Sequence, residues 1–192
     1  MKVPEEKILE VAYALFKEKG VRAVRMQDVA KNCGITLWDI NTKFKSKKEL
    51  ILNVIRYILT KKSTYLVVNS SVSPSAVTEL SNFFKFISEN LDELGSNIFL
   101  EFGRHDPLAL DQLKELVELT LMPYMHKVIE RGITEGFCRS DLDLDRYAPI
   151  YFYILRSIIE SHSDNWIEAK HMVNHINDIF LHGALNAKGM RL

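Results

Sequence analysis

Apolar residues recur every three or four positions along almost the whole chain, and no segment shows sustained two-residue alternation, so the pattern predicts helices throughout. In the first helix Ile8, Val11, Ala12, Leu15 and Phe16 make one apolar face. Pro4 suits its opening turn and Gly20 closes it. A second helix over 27–32 stops at Gly34, and Thr36 caps a third that runs to Lys43. Ser46 and Glu49 have the spacing of a capping box for a fourth helix reaching about residue 68. The polar run 69–75 predicts a loop, with Ser73 and Pro74 opening a fifth helix over 74–94. Further helices are predicted over 97–104, from Pro107 to 131–136 with a bend at Pro123, and over 144–161. The last runs from a cap at Ser163 or Asp164 to 187. The expected architecture is all-α, nine helices in two domains, with residues 1–50 forming a helix-turn-helix head and residues 51–192 a helical effector-binding and dimerisation domain.

With 192 residues, 47% of them apolar and 26% charged, the chain has the material for a real core and neither a disordered nor a fibrous composition. No apolar run approaches the roughly 20 residues of a membrane span, and the N-terminus lacks the apolar stretch of a secretory signal. Cys33 and Cys138 stand far apart with no CxxC pair, so no disulfide framework or zinc ribbon is expected. These features together predict a cytoplasmic protein. No nucleophile elbow, Walker loop, HExxH or dinucleotide fingerprint occurs, hence no catalytic residue, cofactor or metal is expected.

The formal charge of +0 hides an asymmetry. Residues 1–62 hold 14 Lys and Arg against 7 Asp and Glu, a net +7, whereas residues 63–192 hold 11 against 18, a net −7. A basic head on an acidic body is what a polyanion-binding module joined to another function shows, because phosphate neutralisation dominates affinity for nucleic acids. The head also has the right layout. Two short helices separated by Cys33, Gly34 and Ile35 have the form of a helix-turn-helix, whose second helix enters the major groove.

The run Ile8, Ala12, Leu15, Phe16, Gly20, Val21, Asp28, Val29, Ala30, Gly34, Ile35, Thr36, Ile40, Phe44, Ser46, Lys47, Glu49 and Leu50 resembles the tetracycline-repressor (TetR) family of bacterial regulators. Gly132, Gly136, Phe137, Asp141 and Asp143 resemble it more loosely. The resemblance implies a homodimer that binds a palindromic site on double-stranded DNA, and a C-terminal domain that holds a small-molecule effector. The expected function is a sequence-specific transcriptional regulator, a repressor released by a small, largely apolar effector. An activator, or a helical small-molecule carrier or enzyme whose N-terminal helices do not bind DNA, stands as the alternative. The chain departs from the family at Arg25, Trp38 and Asn41, so the family's tyrosine contact to phosphate does not carry over.

The candidate DNA-binding residues are Arg25, Gln27, Thr36, Leu37, Trp38, Asn41, Thr42, Lys43 and Lys47. Asn41 suits a bidentate pair with adenine, and Leu37 or Trp38 a thymine methyl, unless Trp38 packs against the first helix. Thr42, Lys43, Arg25, Gln27 and Lys47 suit phosphates. Asp39 either completes a capping box with Thr36 or accepts from a cytosine amino group. If Asn41, Thr42 and Lys43 were buried, the DNA reading would fail.

Phe84, Phe99, Phe102, His105, Tyr124 and Tyr151 are the candidate effector-pocket residues, apolar walls with few polar groups. Tyr151, Ile154, Leu155 and Ile158 of the eighth helix, with Met172, Val173, Ile176, Ile179 and Phe180 of the ninth, are the candidates for a four-helix dimer interface, unless they are buried within one chain. His171, His175 and His182 share one strip of the ninth helix. With no carboxylate or cysteine read at matching spacing, the strip is assigned no metal.

Overall fold

A computed structural model of the chain describes residues 3–91, 107–162 and 165–192. Its helices are α1 (Glu5–Lys19), α2 (Met26–Cys33), α3 (Leu37–Lys43), α4 (Lys47–Val72), α5 (Ala76–Glu89), α6 (Pro107–Leu116), α7 (Met122–Thr134), α8 (Leu144–Ser161) and α9 (Trp166–Ala184). Among the described residues there is no strand, only an isolated bridge between Cys138 and Leu185. The fold is all-α as expected. The helix expected over 97–104 and the caps at Ser163 and Asp164 lie outside the described residues. Asn165 caps α9 instead, its side-chain oxygen accepting from the Glu168 N–H at 3.2 Å.

The structure departs from the expected elements at the α4–α5 connection and before Pro123. Helix α4 continues to Val72, into the expected loop, because Asn69 is buried there and bonded in three directions. It donates to the Glu79 carbonyl (2.9 Å) and the Tyr124 hydroxyl (2.9 Å), and accepts from Ser73 Oγ (2.9 Å). Tertiary partners thus override a polar local sequence. Ser75, not Ser73, caps α5, accepting from the Thr78 N–H at 3.2 Å. The long helix expected from Pro107 is irregular just before Pro123 rather than at it, with a π turn over Val117–Leu121 joining α6 to α7. Proline has no N–H for the carbonyl four residues back, and its ring crowds that carbonyl, so the widened turn falls on the residues preceding it.

The chain divides into two compact units. One takes in the chain up to Lys62 together with residues 107–114, and the other residues 63–91 and 115 onward. In the first, Ile8, Ala12, Phe16, Val29, Ile40, Phe44, Leu50 and Ile55 are buried from α1, α2, α3 and α4. Tyr57 and Lys61 of α4 clasp α1 from outside: the Tyr57 hydroxyl (2.9 Å) and the Lys61 ammonium (3.2 Å) both donate to Glu10 Oε1. These bonds, that of Tyr57 foremost, hold the Glu10 carboxyl below its ordinary range.

The second unit has an aromatic core. Tyr151 is fully buried, its ring centroid 5.2 Å from Phe84, 5.1 Å from Phe152 and 5.2 Å from Phe180. Its hydroxyl donates to Asn177 Oδ1 (2.7 Å), and Asn177 Nδ2 donates to the Phe84 carbonyl (2.9 Å), so one amide ties α8, α9 and α5. Burial pushes the Tyr151 phenol up. Beside this core Glu79 accepts from Arg131 at 2.8 Å while Arg131 also donates to Glu135 at 2.6 Å. After α9 the chain turns back to lie along 137–139, through Arg139 N–H to Ala184 O (2.9 Å) and Asn186 N–H to Phe137 O (3.0 Å). The close approach requires Gly189, where a Cβ would sit 2.3 Å from the Phe137 carbonyl oxygen.

Candidate nucleic-acid interface

The turn between α2 and α3 is built by two backbone bonds across Gly34. The Ile35 N–H bonds to Ala30 O (3.1 Å) and the Gly34 N–H to Lys31 O (3.2 Å), with Gly34 at φ 67°. This is a Schellman closure, and its left-handed residue favours glycine. Thr36 then starts α3 in extended conformation, its hydroxyl accepting from the Asp39 N–H (3.2 Å) while Asp39 Oδ2 accepts from the Thr36 N–H (2.9 Å). The capping role of Asp39 is therefore the one realised, and the Thr36 hydroxyl and N–H hold its carboxyl below the ordinary range. Replacing Thr36 by alanine removes half of this box and is expected to cost about 1 kcal/mol of stability, while serine retains it. Thermal denaturation of the two variants checks the difference.

Ile40 and Phe44 are buried and anchor α3 to the first unit's core. The other side faces outward: Trp38 is 72% exposed, so it does not pack against α1, and Asn41, Thr42 and Lys43 are all exposed. Leu37 is half-buried, Thr36, Arg25 and Gln27 are exposed, and Thr42 Oγ1 donates to the Asp39 carbonyl at 2.7 Å. Lys47 is half-buried, and its ammonium donates to the Arg22 carbonyl at 3.2 Å, which fixes the start of α4 against the α1–α2 connection.

The electrostatics of this face follow from where its acids go. Asp28 accepts from the Arg25 N–H (2.7 Å), Asp39 from the Thr36 N–H, and Glu49 from the Lys45 N–H (2.8 Å). All three carboxylates of 26–50 are thus turned onto backbone donors at helix starts. At α2 only this half of a capping box exists, since the Arg25 guanidinium has no acceptor to offer. The exposed side chains of Arg25, Lys31, Lys43 and Lys45 make no ion pair among the described residues. Lys31 and Lys45 were not among the residues singled out from sequence. The net +7 of residues 1–62 already contained them, but charge count alone does not say which cations lack a partner.

The sites expected in the second unit fare differently. Phe84 and Tyr151 are core, and Tyr124 is half-buried with its hydroxyl on Asn69; Phe99, Phe102 and His105 lie outside the described residues. Of the residues expected at a dimer face, Tyr151, Leu155, Ile158 and Val173 are corrected to core of their own chain. They are buried on the inward sides of α8 and α9. Ile154, Met172, Ile176 and Phe180 are half-buried and Ile179 is exposed. Ile150 and Tyr153, outside that expected set, are exposed on α8, one turn apart on the same side. The reading of the histidine strip without a carboxylate is also corrected, since Asp178 Oδ1 lies 3.1 Å from His182 Nδ1.

Residues 8–54 match the family described as bacterial regulatory proteins, tetR family. The transcriptional repressor KstR2 of Mycobacterium tuberculosis is 27% identical over 143 residues, which cover 72% of this chain and 70% of that protein. Among solved structures, a transcriptional regulator from Cytophaga hutchinsonii superposes with a TM-score of 0.82 at 15% identity, over 93% of this chain and 97% of its own. FadR of Bacillus subtilis, solved in complex with stearoyl-CoA, gives 0.70 at 15% identity over 94% and 99%. With the helix-turn-helix geometry and its outward cations, these likenesses identify the chain as a DNA-binding transcriptional regulator whose residues 8–54 form a head of the tetR-family type.

Proposed function

We propose that the chain acts as a homodimeric repressor that sets two copies of α3 in successive major grooves of a palindromic operator and leaves DNA when a small, largely apolar effector binds its second unit. The observation that carries the DNA reading is the outward face of α3, where Trp38, Asn41, Thr42 and Lys43 are exposed while every nearby carboxylate serves a backbone N–H. A helical carrier or enzyme has no use for such a face. The repressor sense is supported by the relationship to KstR2, and an apolar effector by the aromatic core and by the acyl-CoA bound to FadR. In this reading the protein works in the cytoplasm and catalyses nothing.

In mechanism, Asn41 and Trp38 read base edges, while Arg25, Lys43 and the cations beside them hold phosphates and fix the register. The effector acts by favouring a conformation whose two reading helices no longer match the operator spacing of about 34 Å. It shifts the equilibrium only by its differential affinity for the two conformations. The test is selection of bound duplexes from a random pool, repeated with long-chain acyl-CoA and sterol-like probes. Recovery of inverted repeats, with binding abolished on adding one probe class, is the expected result. A pool that shows no enrichment overturns the DNA reading, and enrichment that no apolar probe reverses overturns the effector reading.

A further inference from the structure

One exposed line of α9 is made wholly of acids and imidazoles. Glu168, His171, His175, Asp178 and His182 follow one another at spacings of three, four, three and four, so they lie along a single helix face, and all five are exposed. His171 and His175 have no hydrogen-bonding or ionic partner among the described residues. His182 meets only Asp178 of its own helix.

Apart from exposed Lys170, the charges around this line are already matched. From α5, Lys85 pairs with Glu89 at 3.8 Å and both border an open groove with Lys170 and Asp178. From α8, Arg156 pairs with Glu160 at 2.7 Å, and Tyr147 and Tyr151 turn their hydroxyls to Phe180 O and Asn177. Near the end of α9, Arg139 pairs with Asp141 and reaches the Gly183 carbonyl at 3.5 Å. What α9 leaves open is the line itself, flanked by exposed Ile179 and half-buried Met172 and Ile176.

Taken in opposite directions, two such lines complement each other. When two copies of α9 cross antiparallel at His175, Glu168 of each faces the partner's His182, and His171 of each faces the partner's Asp178. A parallel pairing in register would set Glu on Glu and Asp on Asp. We propose that this line is the register-setting seam between two copies of the chain, with four carboxylate–imidazole pairs disposed about His175 on the two-fold axis and the neighbouring isoleucines and methionine covering its edges. The proposal rests on the homodimer proposed above and adds its register and its chemistry. Each pair is strongest where the imidazole carries a proton and the carboxylate does not, and four such pairs outweigh the repulsion of the two His175 rings on the axis, so association takes up protons and tightens toward mildly acid pH.

Sedimentation of the full chain over a dilution series at low salt, near pH 6 and near pH 8, tests it. Dimer affinity is expected to be about tenfold higher at the lower pH, four exposed pairs acting together. The E168Q/D178N variant should lose that dependence. Glu168→His and His182→Glu should each weaken the dimer at low pH, and the two combined should restore it, because the pair reforms with its members exchanged. All these positions are exposed, so the variants retain the fold, which circular dichroism verifies. A dimer of equal strength at both pH values, or a combined swap as weak as its singles, overturns the seam while leaving the homodimer standing. A chain that is monomeric at every concentration and both pH values overturns the homodimer and the seam together.

Discussion

Alanine in place of Arg131 is expected to destabilise the second unit by about 3 kcal/mol or more, the loss typical when one partner of a buried ion pair is removed. Glu79 is 2% exposed, and its carboxylate accepts from the Arg131 guanidinium at 2.8 Å. Without that partner the carboxylate stays in the interior uncompensated. Arg131 also donates to Glu135, whose other oxygen accepts the Ala76 N–H at 2.8 Å at the start of α5, so the loss spreads to that helix end. Part of the guanidinium reaches solvent, which places the expected value at the lower end of the range for buried pairs. Replacing Glu79 and Arg131 together by leucine and methionine removes the stranded charge and is expected to recover most of the stability. Denaturant unfolding with amide exchange read on α5 and α7 distinguishes the two. A single variant within about 0.5 kcal/mol of wild type would mean that the pair carries no such role.

That pair marks the boundary of what the sequence made legible. The helical period and the caps located α1, α2, α3 and α8 closely, because short-range chemistry decides them: Gly34 closes α2 through a left-handed turn, and Thr36 with Asp39 opens α3. The α4–α5 connection was not legible, because its polar run owes its helical conformation to Asn69 reaching Glu79 and Tyr124, ten and 55 positions away. The same limit applied to burial. Apolar positions on α8 and α9 look alike in a period count, and only packing separates Val173, which is core, from Ile179, which is surface. At the DNA face the sequence supplied the exposed side of α3 through the inward Ile40 and Phe44 and a capping box at Glu49, but it left Asp39 between two roles and gave Asp28 none, whereas all three are spent on backbone donors. That placement turns a modest excess of lysine and arginine into an unneutralised surface.

If that surface is the DNA interface, its residues divide by experiment into readers and anchors. Alanine at Asn41 should cost about 1–3 kcal/mol on the preferred duplex and relax the preference at one base pair in each half-site, with little change in the salt dependence. Trp38 is expected to behave similarly where its ring meets a thymine methyl, and uracil in place of that thymine should mimic the variant. Alanine at Arg25, Lys31, Lys43 and Lys45 together should act on every sequence alike. Each phosphate left without its cation lowers the slope of log affinity against log salt by about 0.9, and in a dimer every substitution strips two phosphates. The fourfold variant is therefore expected to bind weakly and with a salt slope lower by about 7, whereas the Asn41 variant keeps the wild-type one. Fluorescence anisotropy over a salt series, on the selected duplex and on one scrambled duplex, reads both quantities. A fourfold variant that retains the wild-type slope would place the phosphate-binding cations elsewhere. The assignment of Asn41 to base reading fails if its variant loses affinity equally for the scrambled duplex, since a residue that reads bases has no means of weakening binding to a sequence it does not recognise.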